Sequence, residues 1–295
     1  MNELDTYLNL IGKPRNVYEN AELYPQRRLS IAEMQPFLQL SEAESADFPT
    51  ADGVLDCRAA EFRQGKWAQQ NTKFLNYHKS LTPYTLLNGL PFNHYLGIKT
   101  GIAFAENKVV VDVGGGTGQT LVNFFRRPET LTYFLVDPNV RLLHDQFIRV
   151  YPSLLTLKMG HILAMGEALP FKNEAADIVL CFAAIDHMAD YRQFLKEAHR
   201  ILRGGGTLLV TGHIEVSVGS KTRKIWRQFN VFSPSFLEFI ARRWHQFRNR
   251  VALDDHTVHF DSTAQLEKDL RDIGFHVEQA EVVAGSTTFF ISATK

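Results

Sequence analysis

A glycine-rich loop that follows an apolar run is the first place in this sequence where residue types and spacing could support chemistry. The stretch 109–120 reads VVVDVGGGTGQT and places Asp112, Gly114, Gly116 and Gly118 at alternate positions. Glycines allow a backbone to approach a ligand closely, and an acid at the end of a strand can accept hydrogen bonds from it. The pattern therefore predicts a site for a nucleoside triphosphate, a dinucleotide or a sulfonium nucleoside.

The spacing within this loop separates the three ligands. A triphosphate loop needs a lysine after its last glycine, and Gln119 stands there instead. A dinucleotide loop needs a third glycine five residues after the first, and Gln119 also occupies that place counted from Gly114. The pattern D-x-G-x-G-x-G resembles the first motif of class I S-adenosylmethionine-dependent methyltransferases. The resemblance implies S-adenosyl-L-methionine as the cofactor and S-adenosyl-L-homocysteine as the product.

Three further stretches resemble the same family, in the type 11 branch. Asp137, in FLVDPN, follows Gly118 by 19 residues, where an acid would accept hydrogen bonds from both ribose hydroxyls, although an Asp-Pro turn is the other interpretation. The stretches MGEALPF (165–171) and EAHRILRGGGTLLVT (197–211) correspond to later family segments. The residues that the resemblance assigns to cofactor binding are Asp112, Gly114, Gly116, Gly118, Asp137, Pro138, Met165, Gly166, Glu167 and Phe182.

One of these positions departs from the family. Met165 stands where an acid often binds the adenine amino group, and a thioether can only pack against the ring. We expect Gly166 and Glu167 to read adenine through backbone groups, while Glu167 is equally compatible with a helix-starting acid.

Histidines at predicted strand ends supply candidates for acid–base chemistry on the acceptor. His187 follows Asp186 after the run LCFAAIDHM, and we expect it to act as the general base with Asp186 as its orienting partner. A helix cap by Asp186 beside a packing histidine is the alternative. His213, in VTGHIEV, and His259, in DDHTVHF, are the second catalytic candidates. No metal is expected, because His256 and His259 lack a third strong ligand nearby and Cys57 and Cys181 are the only cysteines.

A basic, aromatic segment lies between residues 220 and 250. It contains eight Lys or Arg residues against one acid, with interleaved Phe and Trp. One interpretation is a helical lid, at about 215–250, that packs over the acceptor pocket. A second gives its arginines an anionic acceptor or a membrane surface to contact, and a third gives them a nucleic acid.

The elements that must position these residues follow an alternating pattern. Apolar runs separated by amphipathic stretches predict an α/β fold with a doubly wound, seven-stranded, mostly parallel sheet and an antiparallel C-terminal hairpin strand. Residues 101–295 are predicted to form the methyltransferase domain, with the helical lid inserted after strand five. Residues 1–100 are predicted to form a partly helical N-terminal extension that covers the cofactor site.

Composition narrows the class of partner. Lys and Arg together number 32, as do Asp and Glu, so the zero net charge gives no global reason to expect nucleic acid. The sequence has no run of 18 apolar residues, which argues against a membrane-spanning helix and favours the cytoplasm. We therefore expect methyl transfer to an oxygen or nitrogen of a small-molecule acceptor, one that is anionic or amphipathic if the basic segment contacts it. An RNA- or protein-directed enzyme and a non-catalytic cofactor-binding protein remain the alternatives, and the oligomeric state is open.

Overall fold

The computed structural model describes residues 29–39, 50–51, 54–58, 90–116, 118–138, 157–214, 258–283 and 286–295. The helical lid predicted at about 215–250 and most of the N-terminal extension predicted for 1–100 lie outside these ranges.

One nine-stranded sheet organises the described residues, in the order β1-β2-β5-β4-β3-β6-β7-β9-β8. The strands are β1 Thr50–Ala51, β2 Val54–Asp56, β3 Val109–Val113, β4 Thr132–Val136, β5 Gly160–Leu163, β6 Ala176–Phe182, β7 Leu202–His213, β8 His276–Val282 and β9 Thr288–Thr294. Strands β2 to β7 pair in parallel, whereas β9 runs antiparallel to both β7 and β8. The mostly parallel sheet and its antiparallel C-terminal hairpin are therefore confirmed.

The strand count differs from the expected seven. Strands β3 to β9 are the seven that the sequence predicts, and β1 and β2 come from the stretch assigned to the N-terminal extension. Residues 54–56 add a parallel strand beside β5, and the side chain of Leu55 is completely buried. A run of only three apolar or acidic residues gives little periodicity, so its strand character depends on the exposed edge that β5 offers.

The helices cover both faces of the sheet. Their bounds are α1 Ile31–Met34, α2 Leu90–Thr100, α3 Gln119–Phe124, α4 Tyr191–Ile201 and α5 Ala264–Ile273. Alternate residues of β3 serve two cores: Val109, Val111 and Val113 join the core with α4 and α5, and Val110 joins the core with α2 and α3. Burial on both faces explains why β3 is apolar throughout and confirms the doubly wound fold. None of the described helices is long and apolar enough to cross a bilayer.

The sheet has its topological switch point between β3 and β6. From β3 the chain continues outward through β4 and β5 on one side, and through β6 and β7 on the other. The loops that follow β3 and β6 lead to helices on opposite faces of the sheet, α3 and α4, and open α/β sheets bind ligands at the carboxyl ends of the strands at such a point.

Candidate functional site

The glycine loop leaves β3 at the switch point in a conformation that requires glycine. Gly114, Gly116 and Gly118 have φ values of +73°, +59° and +77°. The N–H of Gly114 donates to the carbonyl of Val136 over 2.7 Å, which fixes the loop to the end of β4. These features fix the backbone of the loop in a left-handed turn that side chains would strain.

The loop after β6 lies directly against this turn. A Cβ atom on Gly114 would stand 2.3 Å from the Cβ of Ala184, so the two loops touch without room for a methyl group. Ala183 has a φ of +49°, which is uncommon outside glycine. Its N–H donates to both the carbonyl and the hydroxyl of Thr211 in β7. A strained backbone conformation persists only where surrounding contacts fix it, and such conformations often occur at functional sites.

Asp137 follows β4 and closes the loop on its other side. Its carboxylate accepts a hydrogen bond from the N–H of Gly116 over 3.1 Å, and its side chain is buried. The sequence prediction placed an acid at this strand end, and the structure brings it into direct contact with the glycine loop.

Asp112 has a different environment from the one the sequence suggests. Its side chain is completely buried and accepts a hydrogen bond from the Tyr133 hydroxyl. A Cβ on Gly115 would lie 2.5 Å from Oδ2 of this carboxyl, so Asp112 packs against the loop backbone from within the protein. Burial raises the pKa of Asp112 to about 7, although hydrogen bonds from Tyr133 and Thr120 oppose the shift.

The segment after β5 forms a compact turn near the loop. Met165 is buried, and its carbonyl accepts the N–H of Ala168 over 3.1 Å. A Cβ on Gly166 would stand 2.9 Å from the terminal methyl group of Met188 and 3.1 Å from Val113, so a side chain there would require both neighbours to shift.

The Glu167 side chain reaches toward α4 rather than starting a helix of its own. Its Oε1 accepts hydrogen bonds from the N–H groups of Ala189, over 2.9 Å, and Asp190, over 3.3 Å. Asp190 is in turn the N-cap of α4, where its side chain accepts from the N–H of Gln193. Glu167 therefore links the turn after β5 to the start of α4.

Phe182 and Pro138 occupy opposite sides of the loop. The Phe182 ring packs on Phe124 of α3 at a centroid separation of 5.4 Å. The carbonyl of Pro138 accepts a hydrogen bond from the guanidinium of Arg58 over 3.0 Å. Sequence reasoning missed Arg58 and its partner Asp56. The available signal was an acid directly after the apolar pair in VLDCR and an arginine two residues later.

Asp186 lies between two of the predicted catalytic histidines at the carboxyl ends of β6 and β7. Its side chain is 1% exposed, and its Oδ2 is 3.4 Å from Nδ1 of His213. Nε2 of His187 is 4.0 Å from Oδ1 of the same carboxylate. The sequence predicted Asp186 as the partner of His187, but the shorter separation joins it to His213, which is 44% exposed. An ionised carboxylate only accepts, so His213 would donate from Nδ1 and keep Nε2 as its basic nitrogen.

The third histidine follows a residue that is hydrogen-bonded to the backbone of Asp186. The N–H of Val258 donates to the backbone carbonyl of Asp186 over 3.0 Å, and His259 follows with an exposed side chain. Within the described ranges, no three His, Cys, Asp or Glu side chains are close enough to hold a metal ion.

Comparisons with known proteins found a family model, relatives and solved structures that resemble this chain. Residues 111–210, about a third of the 295, match the family model described as a methyltransferase domain. A ubiquinone/menaquinone biosynthesis C-methyltransferase of Geotalea uraniireducens is 24% identical over 192 residues, which cover 64% of this chain and 80% of that protein. The 2-methyl-6-phytyl-1,4-hydroquinone methyltransferase 2 of Oryza sativa subsp. japonica is 30% identical over 105 residues, covering 36% of this chain and 29% of that protein. A solved structure, a possible exported protein from Bordetella parapertussis, shares the fold at a TM-score of 0.50 and 13% identity, over 70% of this chain and 67% of that one.

Proposed function

We infer the function from one premise: residues 111–210 match the family model described as a methyltransferase domain. On that basis we propose that the protein transfers a methyl group from S-adenosylmethionine to a small-molecule acceptor. The observation that carries the proposal is the convergence of the glycine loop, the Asp137 carboxylate and the Ala184 turn at the switch point.

The residues at this point fit the cofactor. Gly114 and Gly116 both have a left-handed backbone, and an added Cβ at Gly114 or Gly115 would overlap Ala184 or Asp112, so the loop admits only glycine at these positions. Asp137 supplies a carboxylate that accepts hydrogen bonds, as vicinal ribose hydroxyls require. We propose that Asp112 supports the loop from beneath, because its carboxyl is completely buried. When bound, the cofactor supplies an activated methyl group with a neutral leaving group.

The chain's own contribution to methyl transfer is alignment and, for a protonated acceptor, removal of a proton. Displacement at carbon needs the acceptor atom in line with the methyl group, and a site that excludes water favours this alignment. We propose His213 as the base, held by Asp186 at 3.4 Å, with His187 as the second candidate. A hydroxyl acceptor would give its proton to Nε2 of His213, and Asp186 would stabilise the resulting imidazolium.

The acceptor atom is proposed as oxygen or nitrogen. Two relatives carry names that bear on this choice: one is a C-methyltransferase of quinone biosynthesis and the other a hydroquinone methyltransferase. Methylation at carbon of a phenolic ring also begins with removal of a hydroxyl proton, so the same base would serve either outcome.

Cofactor binding is tested by calorimetry with S-adenosylmethionine and S-adenosylhomocysteine. We expect micromolar binding to the wild-type protein and a loss of at least about tenfold in Asp137→Asn, since the amide loses the charge and one acceptor atom. The Asp269→Asn variant is the matched control, because Asp269 is also a buried acid but pairs with Tyr191 and Arg192 away from the loop. Failure of the wild-type protein to bind either ligand would refute the proposed function.

The acceptor is tested by release of S-adenosylhomocysteine across a panel of phenols, hydroquinones and amines. Mass spectrometry of the product then assigns the methyl group to oxygen, nitrogen or carbon. Turnover with a phenolic or amine compound supports the small-molecule proposal, and turnover with tRNA or a protein alone contradicts it.

A further inference from the structure

Arg58 joins two strand ends that are not neighbours in the sheet. It follows β2, and its Nε and Nη2 bind both carboxylate oxygens of Asp56 over 2.9 and 2.8 Å. Its Nη1 donates to the carbonyl of Pro138, after β4, over 3.0 Å. Because β5 lies between β2 and β4, the side chain crosses the carboxyl end of β5.

We propose that Arg58, held by Asp56, is a positioning residue for the adenosyl half of the cofactor; the proposal rests on the methyltransferase function proposed above. Pro138 directly follows Asp137, whose carboxylate holds the N–H of Gly116. Two hydrogen bonds, joined by the covalent Asp137–Pro138 backbone, thus form a series of contacts from the added strand β2 to the glycine loop. Strands β1 and β2 complete the cofactor site through this series rather than only extending the sheet.

The attachment of β2 to the sheet does not depend on this guanidinium. Val54, Leu55 and Asp56 pair with β5, and the N–H of Cys57 donates to the Leu163 carbonyl over 2.8 Å. Leu55 is completely buried in the core. The contact that the guanidinium adds is therefore the one with the turn after β4, which carries Asp137, the proposed ribose-binding acid.

An arginine suits this position better than a lysine would. The guanidinium is planar and can bind a carboxylate with two donors while a third faces a carbonyl. The side chains of Arg58 and Asp56 are only 18% and 11% exposed, so solvent screens the pair weakly. A lysine ammonium is a single point and cannot keep both contacts at these distances.

Arg200 offers a control with the same chemistry at the opposite end of the parallel strands. It binds both carboxylate oxygens of Glu197 over 2.9 and 2.8 Å and donates to the carbonyls of Leu169 and Phe171. Its own carbonyl accepts the N–H of Glu174, just before β6 begins. Arg200 therefore lies at the amino end of the strands, away from the glycine loop.

The test compares Arg58→Lys with Arg200→Lys by calorimetry with S-adenosylhomocysteine and by thermal unfolding. We expect Arg58→Lys to weaken binding about tenfold, the loss of one charge-assisted hydrogen bond. Once an acceptor has been identified, the KM of Arg58→Lys for S-adenosylmethionine should rise by a similar factor, while kcat at saturation stays near the wild-type value. Arg200→Lys should lower the melting temperature and leave the affinity unchanged.

A double-mutant cycle distinguishes positioning from a general loss of stability. If Arg58 acts through the turn that carries Asp137, Arg58→Lys combined with Asp137→Asn should weaken binding less than the product of the two single effects. For Arg200→Lys combined with Asp137→Asn, the loss of affinity should equal the product of the two single losses. If Arg58→Lys fails to fold, Asp56→Asn keeps the side-chain volume and should weaken binding by about threefold through the looser guanidinium.

Two results would overturn the inference. One is an Arg58→Lys or Asp56→Asn variant that folds and binds S-adenosylhomocysteine as tightly as the wild type. The other is an affinity loss of equal size in Arg200→Lys. Either leaves the proposed function standing, whereas a wild-type protein that binds no cofactor would refute that function itself.

Discussion

The contact between Gly114 and Ala184 allows a quantitative prediction of how much stability an added methyl group at Gly114 would cost. In Gly114→Ala the new Cβ would lie 2.3 Å from the Cβ of Ala184, whereas ordinary carbon contacts lie at about 3.5 to 4.0 Å. Neither atom can rotate away, because both are fixed directly to backbone. The two loops must therefore separate, or the variant must carry the overlap as strain.

A second glycine isolates this overlap from the cost of the left-handed backbone. Gly101 has a φ of +74°, almost the same as the +73° of Gly114, and a Cβ there would meet nothing within 4 Å. Alanine at either site carries the left-handed penalty of about 1 to 2 kcal/mol and gains the same unfolded-state entropy. The difference between the two variants therefore measures the overlap, which we expect to cost about 1 to 3 kcal/mol.

Urea unfolding of Gly114→Ala and Gly101→Ala measures this difference directly. Adding Ala184→Gly to Gly114→Ala removes the overlapping atom, because the next atom of residue 184 is 3.8 Å away. We therefore expect the double variant to recover part of the lost stability and of the S-adenosylhomocysteine affinity. Equal stabilities for the two alanine variants, with no recovery in the double variant, would refute the proposed contact.

Three further predictions concern titration, catalysis and the turn after β5. Because burial raises the pKa of Asp112 to about 7 from 3.8, the folded state binds more protons than the unfolded state between those values. This contribution to the free energy of unfolding is full below about pH 4 and is lost as the pH rises through about 7, with a slope of at most about 1.4 kcal/mol per pH unit. We therefore expect the free energy of unfolding to fall less steeply with pH in Asp112→Asn than in the wild-type protein. His213→Gln should lower turnover at least about a hundredfold and leave cofactor affinity within about twofold, with a smaller loss in His187→Gln; the reverse order in a turnover assay would reassign the base. Glu167→Gln should lower the melting temperature modestly, because the amide oxygen still accepts the N–H of Ala189, whereas Glu167→Ala removes both hydrogen bonds and should lower it more.

Local spacing accounts for the parts of the site that the sequence predicted. The spacing of the glycines after Asp112 distinguishes this loop from a phosphate or dinucleotide loop, and fewer than ten residues suffice for that distinction. The positive φ angles at Gly114, Gly116 and Gly118 explain why the loop needs glycine at these positions. Asp137 was predictable for the same reason, since it ends an apolar strand at a set distance from the loop.

Strand register decides one contact of the loop that the sequence did not predict, that between Tyr133 and Asp112. Tyr133 meets Asp112 because β3 and β4 align Val110 with Tyr133 and Asp112 with Leu135, which sets the two side chains diagonally on one face. A shift of one residue would turn Tyr133 to the other face and break the contact.

The sequence alone determined the order of elements, the glycine loop and the acids at the strand ends, because propensity, burial pattern and turn chemistry act over a few residues. Only the tertiary structure decided that Asp186 lies nearer to His213 than to its neighbour His187, and that Arg58 reaches the Pro138 carbonyl. Those contacts join segments 27 and 80 residues apart. They depend on which strands lie side by side and in what register, and the core that fixes this order is assembled from the whole sheet.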